Sequence, residues 1–469
     1  MMAYRLRMQP AVRPRANPSA ATMVHPDEHR RGLCRCQVHS TASSDRPARG
    51  RRASAGYYLH IKHRQFPESK KNPEKSSQKI QAQVASPGRG ATMPRLRKDM
   101  NMAAVQGVVR VALVGCGGIS GGHVRGFLKH AEKIKVVALC DVSAENMNRR
   151  SDQLGGVSRQ FADWKEMLAQ MGDQIDAVDL CLPHHLHAPA ILDAAAAGKH
   201  ILCEKPMCMT LAEADQIAAA VKKAGVTYMS AHNQLFMPVV QEAKRMIDEG
   251  ALGKVFWLRS QDCFAGRNTR QGWGWRADMK TQGGGELIDT GYHPSYRLLH
   301  LAGSPVADLR ATMGRFRCPI DGEDTASVQV RFESGAIGEI LTSWGFALPW
   351  GTHHIHVIGE KGQVFGSGDT MYWLPTGFNE PSKRTFAPVD TFEAEIGHFA
   401  DCLREGRRPI HSVEEGRAVL ELILKSAVNA QGWQETAVVK VQLPIQRTGE
   451  SAGKLAVDVG RAAQDDSPP

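Results

Sequence analysis

The stretch that most constrains the fold runs from residue 109 to residue 141. It opens with a near-continuous apolar run from Val109 to Val114, which is typical of a strand buried on both faces. A glycine-rich turn follows, then apolar residues at helical spacing, then a second apolar run that ends on Asp141. Strand, glycine turn, helix, strand and acid stand in the order of a dinucleotide-binding βαβ unit. The order therefore predicts a nucleotide site.

Each residue type in the glycine turn has a mechanical reason to be there. A glycine permits the tight turn out of the strand, and the next one lets the backbone approach a pyrophosphate. The helix N-terminus offers free N–H groups and a partial positive charge to the phosphates. The third glycine of the G-x-G-x-x-G pattern is replaced by serine, which is small enough for helix–sheet contact. The residues expected to bind the cofactor here are Gly115, Gly117, Gly118, Ile119, Ser120 and Asp141.

Asp141 favours NAD over NADP. Its carboxylate can accept hydrogen bonds from both ribose hydroxyls, and its charge would repel a 2′-phosphate. Val142 and Ser143 supply no cation to offset that repulsion. Arg149 and Arg150 lie further along the chain and only weaken the preference.

The charge of the chain is unevenly distributed. The 469 residues carry a formal net charge of +11, and the length is typical of two or three domains. Residues 1–107 hold the whole positive excess and are rich in Arg, Pro and Ser, so they cannot bury enough apolar surface to fold. We predict a disordered extension there, and a C-terminal tail over 446–469. A nucleic-acid-binding arm, a targeting peptide, or a true start at Met93, Met100 or Met102 are the alternatives.

The apolar runs and the cysteines indicate in which cellular compartment the protein is expected. No run reaches the roughly 18 residues that span a membrane. The ten cysteines include no C-x-x-C pair, and several fall in buried strands where thiols behave as small apolar residues. We therefore expect a reduced cytoplasmic protein without structural zinc, and neither a membrane nor a nucleic acid as partner.

Helices and strands alternate from Ser143 to about residue 231. One amphipathic helix opens with Thr210 as its cap and Glu213 at the capping-box position. Alternation of this kind predicts an α/β domain over 108–231 with a doubly wound parallel sheet, whose ligands bind beyond the carboxyl ends of the strands.

Two strand ends in that domain carry polar residues. The first is followed by three histidines within four positions; we favour a loop lining the nicotinamide over a metal site, because no carboxylate or cysteine is in register. The second ends in Glu-Lys-Pro, where the proline restrains the lysine. The alternative for that lysine is a surface ion pair with its neighbouring glutamate. The residues expected to contact the cofactor are Pro183, His184, His187, Glu204 and Lys205.

The second half, residues 232–445, changes to runs with the period of two that is typical of a sheet with one covered face. Within it, the pattern predicts a helix from Glu286 onward. Asp289 and His293 are then four apart on one helical face. A carboxylate beside an imidazole fixes its tautomer and raises its basicity, as a general base for an alcohol requires. The alternative is a helix-stabilising ion pair.

Three motifs together carry a resemblance. GCGGIS, CEKPM and GGGELIDTGYH resemble the glucose–fructose oxidoreductase / inositol dehydrogenase / MocA family of oxidoreductases, over about residues 108 to 442. The resemblance implies a Rossmann domain followed by an α+β domain with a large, mostly antiparallel open sheet. That sheet often makes the oligomer contact, so a homodimer or homotetramer is expected.

The resemblance also implies the catalytic set Lys205, Asp289 and His293. His293 would take the hydroxyl proton, Lys205 would stabilise the alkoxide, and Asp289 would orient His293. Many relatives carry an acid where Tyr296 stands, so substrate contacts on that side are in doubt. Trp273 is a further pocket candidate, with core packing as its alternative. The residues expected to bind substrate are Asn233, Trp275, Arg276, Asp289 and His293.

Three functions are compatible with these residues. The first is an NAD-dependent oxidoreductase acting on a secondary hydroxyl of a sugar, sugar acid or cyclitol. The second is a glycoside hydrolase that retains NAD and works by transient oxidation and elimination. The third is a non-enzymatic ligand-binding relative, against which the presence of all three catalytic residues argues.

Overall fold

The computed structural model describes residues 104–349 and 351–434. The three candidate start residues, nearly all of the N-terminal extension, the predicted tail and the last residues of the second predicted domain lie outside these ranges. Within them, no helix is long and apolar enough to cross a membrane.

The first sheet has six parallel strands in the order β3-β2-β1-β4-β5-β6, as the doubly wound pattern predicts. The strands are β1 (Val109–Val114), β2 (Ile134–Cys140), β3 (Gln160–Phe161), β4 (Ala177–Leu180), β5 (His200–Glu204) and β6 (Tyr228–Ala231). The accompanying helices are α1 (Ser120–Lys129), α2 (Ala144–Gln153), α3 (Trp164–Met171), α4 (His187–Ala196) and α5 (Leu211–Ala224). The capping box at the start of α5, formed by Thr210 and Glu213, is confirmed.

The second sheet has eight strands in the order β14-β13-β12-β11-β7-β10-β9-β8, all antiparallel except the pair β7–β10. The strands are β7 (Val255–Cys263), β8 (Val306–Gly314), β9 (Thr325–Phe332), β10 (Ile337–Ser343), β11 (Ile355–Gly359), β12 (Gly362–Ser367), β13 (Thr370–Pro375) and β14 (Ser382–Thr385). The helices of this half are α6 (Pro238–Asp248), α7 (Arg270–Trp273), α8 (Met279–Gln282), α9 (Tyr292–Ala302), α10 (Thr391–Glu405) and α11 (Val413–Gln434).

The two sheets share one apolar core. A single cluster of buried residues includes Val178 of β4, Leu258 of β7 and Leu298 of α9. Helix α9 packs against β7 and β10, whereas α10 returns to the first sheet and packs against α1. Close approach there depends on glycine, because a Cβ on Gly126 would lie 2.6 Å from Cγ1 of Ile396.

The predicted start of α9 is wrong. The helix begins at Tyr292, and the segment before it is a series of turns with hydrogen bonds three residues apart. Asp289 N donates to Glu286 O at 3.1 Å, and His293 N donates to Thr290 O at 2.9 Å. Asp289 therefore precedes the helix, and the four-residue spacing that would place it beside His293 does not apply.

Candidate active site

The glycine turn after β1 has the geometry of a phosphate-binding turn. Gly115 has φ +92°, and a Cβ there would lie 2.3 Å from the carbonyl oxygen of Cys181, so only glycine fits. A Cβ on Gly117 or Gly118 would meet nothing within 4 Å, so the backbone of the turn borders open space. No side chain caps the first turn of α1. The turn thus offers uncapped helix N–H groups to a pyrophosphate.

Ser120 is held by an arginine that the sequence pattern did not indicate. Its hydroxyl donates to Gly117 O at 2.8 Å and accepts from Nε of Arg150 at 2.9 Å. Arg150 is buried and also donates to Gly117 O at 2.5 Å. The serine that replaces the third glycine is therefore part of a brace between α2 and the turn. Arg150, considered above as a cation for a 2′-phosphate, faces the turn instead.

Asp141 stands at the carboxyl end of β2 as predicted. One carboxylate oxygen accepts from the N–H of Cys116 at 2.6 Å, and the other accepts from the N–H of Ser143 at 2.8 Å. These bonds fix the carboxylate beside the glycine turn, where the ribose of a dinucleotide would lie.

Lys205 and Arg276 converge on Asp289. Lys205 Nζ lies 2.6 Å from Oδ1 of Asp289 and 3.0 Å from its backbone oxygen, and Arg276 Nε lies 2.5 Å from Oδ2. Burial by itself would raise the pKa of Asp289, but the two cations hold that pKa well below its ordinary value. The side chain of Asp289 is 5% exposed and that of Lys205 is 11% exposed. The site therefore holds a largely buried carboxylate between two cations.

His293 pairs with Tyr296 and not with Asp289. The distance from its Nδ1 to the Tyr296 hydroxyl is 2.7 Å, and that hydroxyl also accepts from Gln234 N at 3.1 Å. The expected Asp289–His293 hydrogen bond is corrected accordingly, because the carboxylate is occupied by Lys205 and Arg276. Tyr296 is fully buried and fixes the ring of the histidine.

Asp289 raises the pKa of His293 as expected, but the net shift of that pKa is downward. Burial, with Lys205 and Arg297 as neighbouring cations, lowers the pKa of His293 well below its ordinary value despite the opposing effect of Asp289. The ring is consequently neutral at neutral pH and can accept a proton.

Glu204 and His187, both predicted to contact the cofactor, are turned into the protein, and so is His184. Glu204 Oε1 lies 3.1 Å from Nε2 of His123, and its Oε2 accepts from the N–H of Lys205 at 3.1 Å. His187 is fully buried, and its ring nitrogens lie 2.6 Å from Pro206 O and 2.8 Å from Leu182 O. From within the core, Glu204 and His187 therefore stabilise the chain at the carboxyl ends of β4 and β5. The suggested surface ion pair of Glu204 with Lys205 is not formed.

The three-histidine loop does not converge on one point. Nδ1 of His184 faces the carbonyl oxygen of Gln282 at 2.8 Å, and Nδ1 of His185 faces that of Thr281 at 3.3 Å. Burial lowers the pKa of His184 to about 3. Its ring packs edge-on against Trp275, with centroids 4.7 Å apart, so the loop after Pro183 supports the wall that carries Trp275 and Arg276.

One group among the described residues has the composition of a metal site, namely His123, Asp179 and Cys181. Both ring nitrogens of His123 face carboxylates, with Asp179 at 2.9 Å and Glu204 at 3.1 Å. Burial opposes a charge on this ring, but Asp179 holds the pKa of His123 well above its ordinary value. Burial also raises the pKa of Cys181 to about 12. An imidazolium and a neutral thiol do not fit a metal.

The other predicted pocket residues divide between wall and core. Arg276 is 37% exposed and lies over the ring of Trp275, 4.2 Å from its centroid. Asn233 is nearly buried and donates to the hydroxyl of Thr391 at 3.0 Å. Trp273 is a core residue, because its ring is buried against Trp344 with centroids 4.4 Å apart.

Both halves of the chain match models of known protein families. The model of an oxidoreductase family with an NAD-binding Rossmann fold matches residues 109–232, and that of the GFO/IDH/MocA C-terminal domain matches residues 240–365. The chain is 28% identical to the D-apiose dehydrogenase of Paraburkholderia graminis, over 68% of this chain and 87% of that protein.

Two further similarities agree. The chain is 28% identical to the scyllo-inositol 2-dehydrogenase (NAD(+)) of Bacillus subtilis, over 64% of this chain and 88% of the relative. The crystal structure of the aldose-aldose oxidoreductase from Caulobacter crescentus, complexed with glycerol, superposes with a TM-score of 0.63 at 26% identity. That match covers 70% of this chain and 98% of the solved chain.

Proposed function

The chain belongs to the GFO/IDH/MocA family of NAD-dependent oxidoreductases, and we propose that it oxidises a secondary hydroxyl of a sugar, sugar acid or cyclitol. The observation that carries the proposal is the pairing of a cation and a neutral base. Lys205 is held 2.6 Å from Asp289, and His293, with its lowered pKa, stands at the start of α9 close to the same carboxylate. A base removes the proton of an alcohol, and a cation beside it stabilises the alkoxide that forms.

The roles follow from the contacts. We assign the hydrogen of His293 to Nδ1, from which it is donated to the Tyr296 hydroxyl, so that the lone pair of Nε2 takes the hydroxyl proton of the substrate. Lys205 donates a hydrogen bond to the same oxygen and stabilises the charge that develops there. Asp289 positions Lys205 and Arg276 and does not orient the base. Bound NAD supplies the hydride acceptor at C4 of its nicotinamide.

The glycine turn and Asp141 are the residues we assign to NAD, with NADP disfavoured. Gly117 and Gly118 border the open space for the pyrophosphate, and α1 points its uncapped N-terminus there. Ile119 and Ser120 complete the turn. For the substrate we assign the exposed wall of Trp275 and Arg276, whose aromatic face and guanidinium suit a polyol ring, together with Asn233.

The site is divided between two parts of the chain. We propose that residues 108–231 bind NAD and that residues 232–445 bind substrate, with α10 as the element that returns to the first part. This division assigns Lys205 to the cofactor side and Asp289 and His293 to the substrate side.

We also propose that the protein is a homodimer or homotetramer in the cytoplasm, assembled through the outer face of the second sheet. An aromatic row crosses four strands of that face. Trp257 meets His356 with ring centroids 5.2 Å apart, His356 meets Phe365 at 5.2 Å, and Phe365 stacks on Tyr372 at 5.3 Å. Contiguous aromatic surface of this kind favours burial against a partner. All eight cysteines in the described ranges are free, which suits a reducing compartment.

The experiment that tests the function is a panel of sugars, sugar acids and inositols incubated with the full chain and NAD. We expect NADH to accumulate in proportion to a keto product. In parallel, chromogenic glycosides are supplied with catalytic NAD. Glycoside cleavage without net NADH would instead support the hydrolase, and neither product, with ligand binding intact, would support a binding protein.

A further inference from the structure

One face of α9 carries a row of protonatable side chains. His293, Tyr296 and His300 are three and then four positions apart, so they lie along one side of the helix. Tyr296 is bonded to His293 at the active-site end. The ring of His232 lies flat on Tyr296, with centroids 4.2 Å apart and planes at 12°. His232, which lies outside α9, is thus in contact through Tyr296 with the proposed base His293.

Three imidazoles are linked in series beside that row. Nδ1 of His232 lies 2.7 Å from Nδ1 of His411, and Nε2 of His411 lies 3.3 Å from Nδ1 of His300. His232 directly follows β6 and stands next to Lys205, because Ala231 is in register with Glu204 on the neighbouring strand. His300 is only half-buried, so the series runs from the active-site edge of the first sheet towards the surface.

The hydrogen bonds of the series are compatible with a set of tautomers along which a proton can pass. If His232 donates its Nδ1–H, His411 accepts on Nδ1 and donates Nε2–H to His300, which keeps its own hydrogen on Nε2. His232 Nε2 is then an acceptor, and it is buried with no hydrogen-bond partner among the described residues. A buried polar atom of this kind is normally satisfied by an ordered water. A water bound to this atom would join the series to the active site, because the ring of His232 stacks on Tyr296, which is bonded to His293.

We propose that His232, His411 and His300 form a relay that carries the proton released by alcohol oxidation to the solvent; this rests on the proposed function. The alcohol gives its hydride to NAD and its hydroxyl proton to His293. That proton passes through the water to Nε2 of His232. In turn His232 passes its Nδ1 proton to His411, His411 passes its Nε2 proton to His300, and His300 releases its Nε2 proton. One proton enters and one leaves, and a half-turn of each ring restores the series.

Burial keeps the members of the relay neutral, as proton transfer between imidazoles requires. Burial and neighbouring histidines lower the pKa values of His232 and His411 well below the ordinary range, and burial lowers that of His300 to about 4. The charged groups that face the series are Lys205 at its inner end, Arg408 beside His411, and Lys244, Asp248 and Glu415 around His300.

The test compares His411→Gln and His300→Gln with the wild-type enzyme on the best substrate of the panel. Glutamine preserves size and polarity but cannot take a proton on one atom and release it from another. The matched control is His200→Gln, a histidine at the amino end of β5 that accepts from Thr227 N and lies outside the series. The turnover number is measured in dilute buffer, in added imidazole, and in D₂O.

We expect both relay variants to lose about tenfold in turnover number in dilute buffer, because proton release becomes limiting. Added imidazole should restore them, their solvent isotope effect should exceed that of the wild type, and NAD affinity should not change.

Turnover that stays at the wild-type level in both variants would overturn the relay, as would a loss that imidazole does not restore. If His411→Gln does not fold, His300→Gln at the half-buried end decides. A wild type that forms no NADH removes the proposed function and the relay together; a wild type that turns over beside unaffected variants removes the relay alone.

Discussion

Asp289 is the residue on which the charge balance of the site depends. It is nearly buried and neutralises two cations that come from different segments, Lys205 after β5 and Arg276 before α8. Leaving a buried charge without a partner is costly. The carboxylate of Asp289 therefore fixes the positions of the Lys205 and Arg276 side chains.

Replacing Asp289 with asparagine should therefore release Lys205 and Arg276 while the shape is kept. We expect kcat/KM to fall by about 10- to 100-fold, the equivalent of one hydrogen bond to a charged group, with NAD affinity unchanged. Steady-state kinetics and an NAD titration measure both. Asp278→Asn, which removes a nearby negative charge and leaves an amide oxygen to cap Lys280 N, is the control. Wild-type kcat/KM in Asp289→Asn would contradict this account of the site.

The pH dependence should report His293. The base works only when neutral, so activity is lost as the pH falls through its folded-state pKa. Because burial, Lys205 and Arg297 lower that pKa below the ordinary value of 6.5, the acid limb of kcat/KM should lie below pH 6.5. The profile is measured with fluorescence as a check of folding at each pH. An inflection above 6.5 would show that another group is the base.

At the scale of elements, the sequence located the strands and most helices because their apolar periods are local. It misplaced the start of α9, since a pattern that continues the period of a helix cannot show that the residues before Tyr292 form three-residue turns. The interpretation of Asp289 and His293 as neighbours on one helical face is therefore wrong, because Asp289 lies in the turns before α9. The turns before α9 nevertheless bring Asp289 against Lys205, so two of the three predicted catalytic residues are in contact.

The brace of Arg150 on the glycine turn is the second feature that the element pattern could not reveal. Arg150 and Ser120 are thirty positions apart and lie on different helices. Nothing in the spacing of α2 singles out one arginine from the next, and Arg149 instead bonds to Asn146.

Arg150→Met should loosen the turn that faces the pyrophosphate. We expect NAD to bind about tenfold or more weakly, since a charged hydrogen-bond donor to two turn atoms is lost. Isothermal titration calorimetry gives the affinity. Arg125→Met, on the exposed side of α1 where it pairs with Asp390, is the matched control and should bind NAD normally. Equal affinities in the two variants would mean that the turn holds its shape without the brace.

At the scale of the whole molecule, the motifs predicted both sheets and the family, but not the contacts between the halves. Lys205 in the first half reaches Asp289 in the second, and His184 reaches the carbonyl oxygen of Gln282. Such contacts depend on how α9 and α11 settle on the first sheet, and a single sequence carries no local signal for them.

The outer face of the second sheet should hold the subunits together. A charge placed in its aromatic row, as in Phe365→Glu, should shift the protein towards monomer in light scattering, because an unpaired charge cannot be buried in an interface. Val428→Glu places the same charge on an exposed position of α11 and should leave the mass unchanged. An unaltered mass for Phe365→Glu would place the interface elsewhere.

The central claim is that His293 is the base for oxidation of an alcohol by NAD. The most direct test measures NADH formation and NAD affinity side by side for the wild type and His293→Gln, on one active substrate. We predict that the variant binds NAD as tightly as the wild type but loses about 10²- to 10⁴-fold in turnover number, the range for a general base. Turnover near the wild-type rate in His293→Gln would contradict the claim.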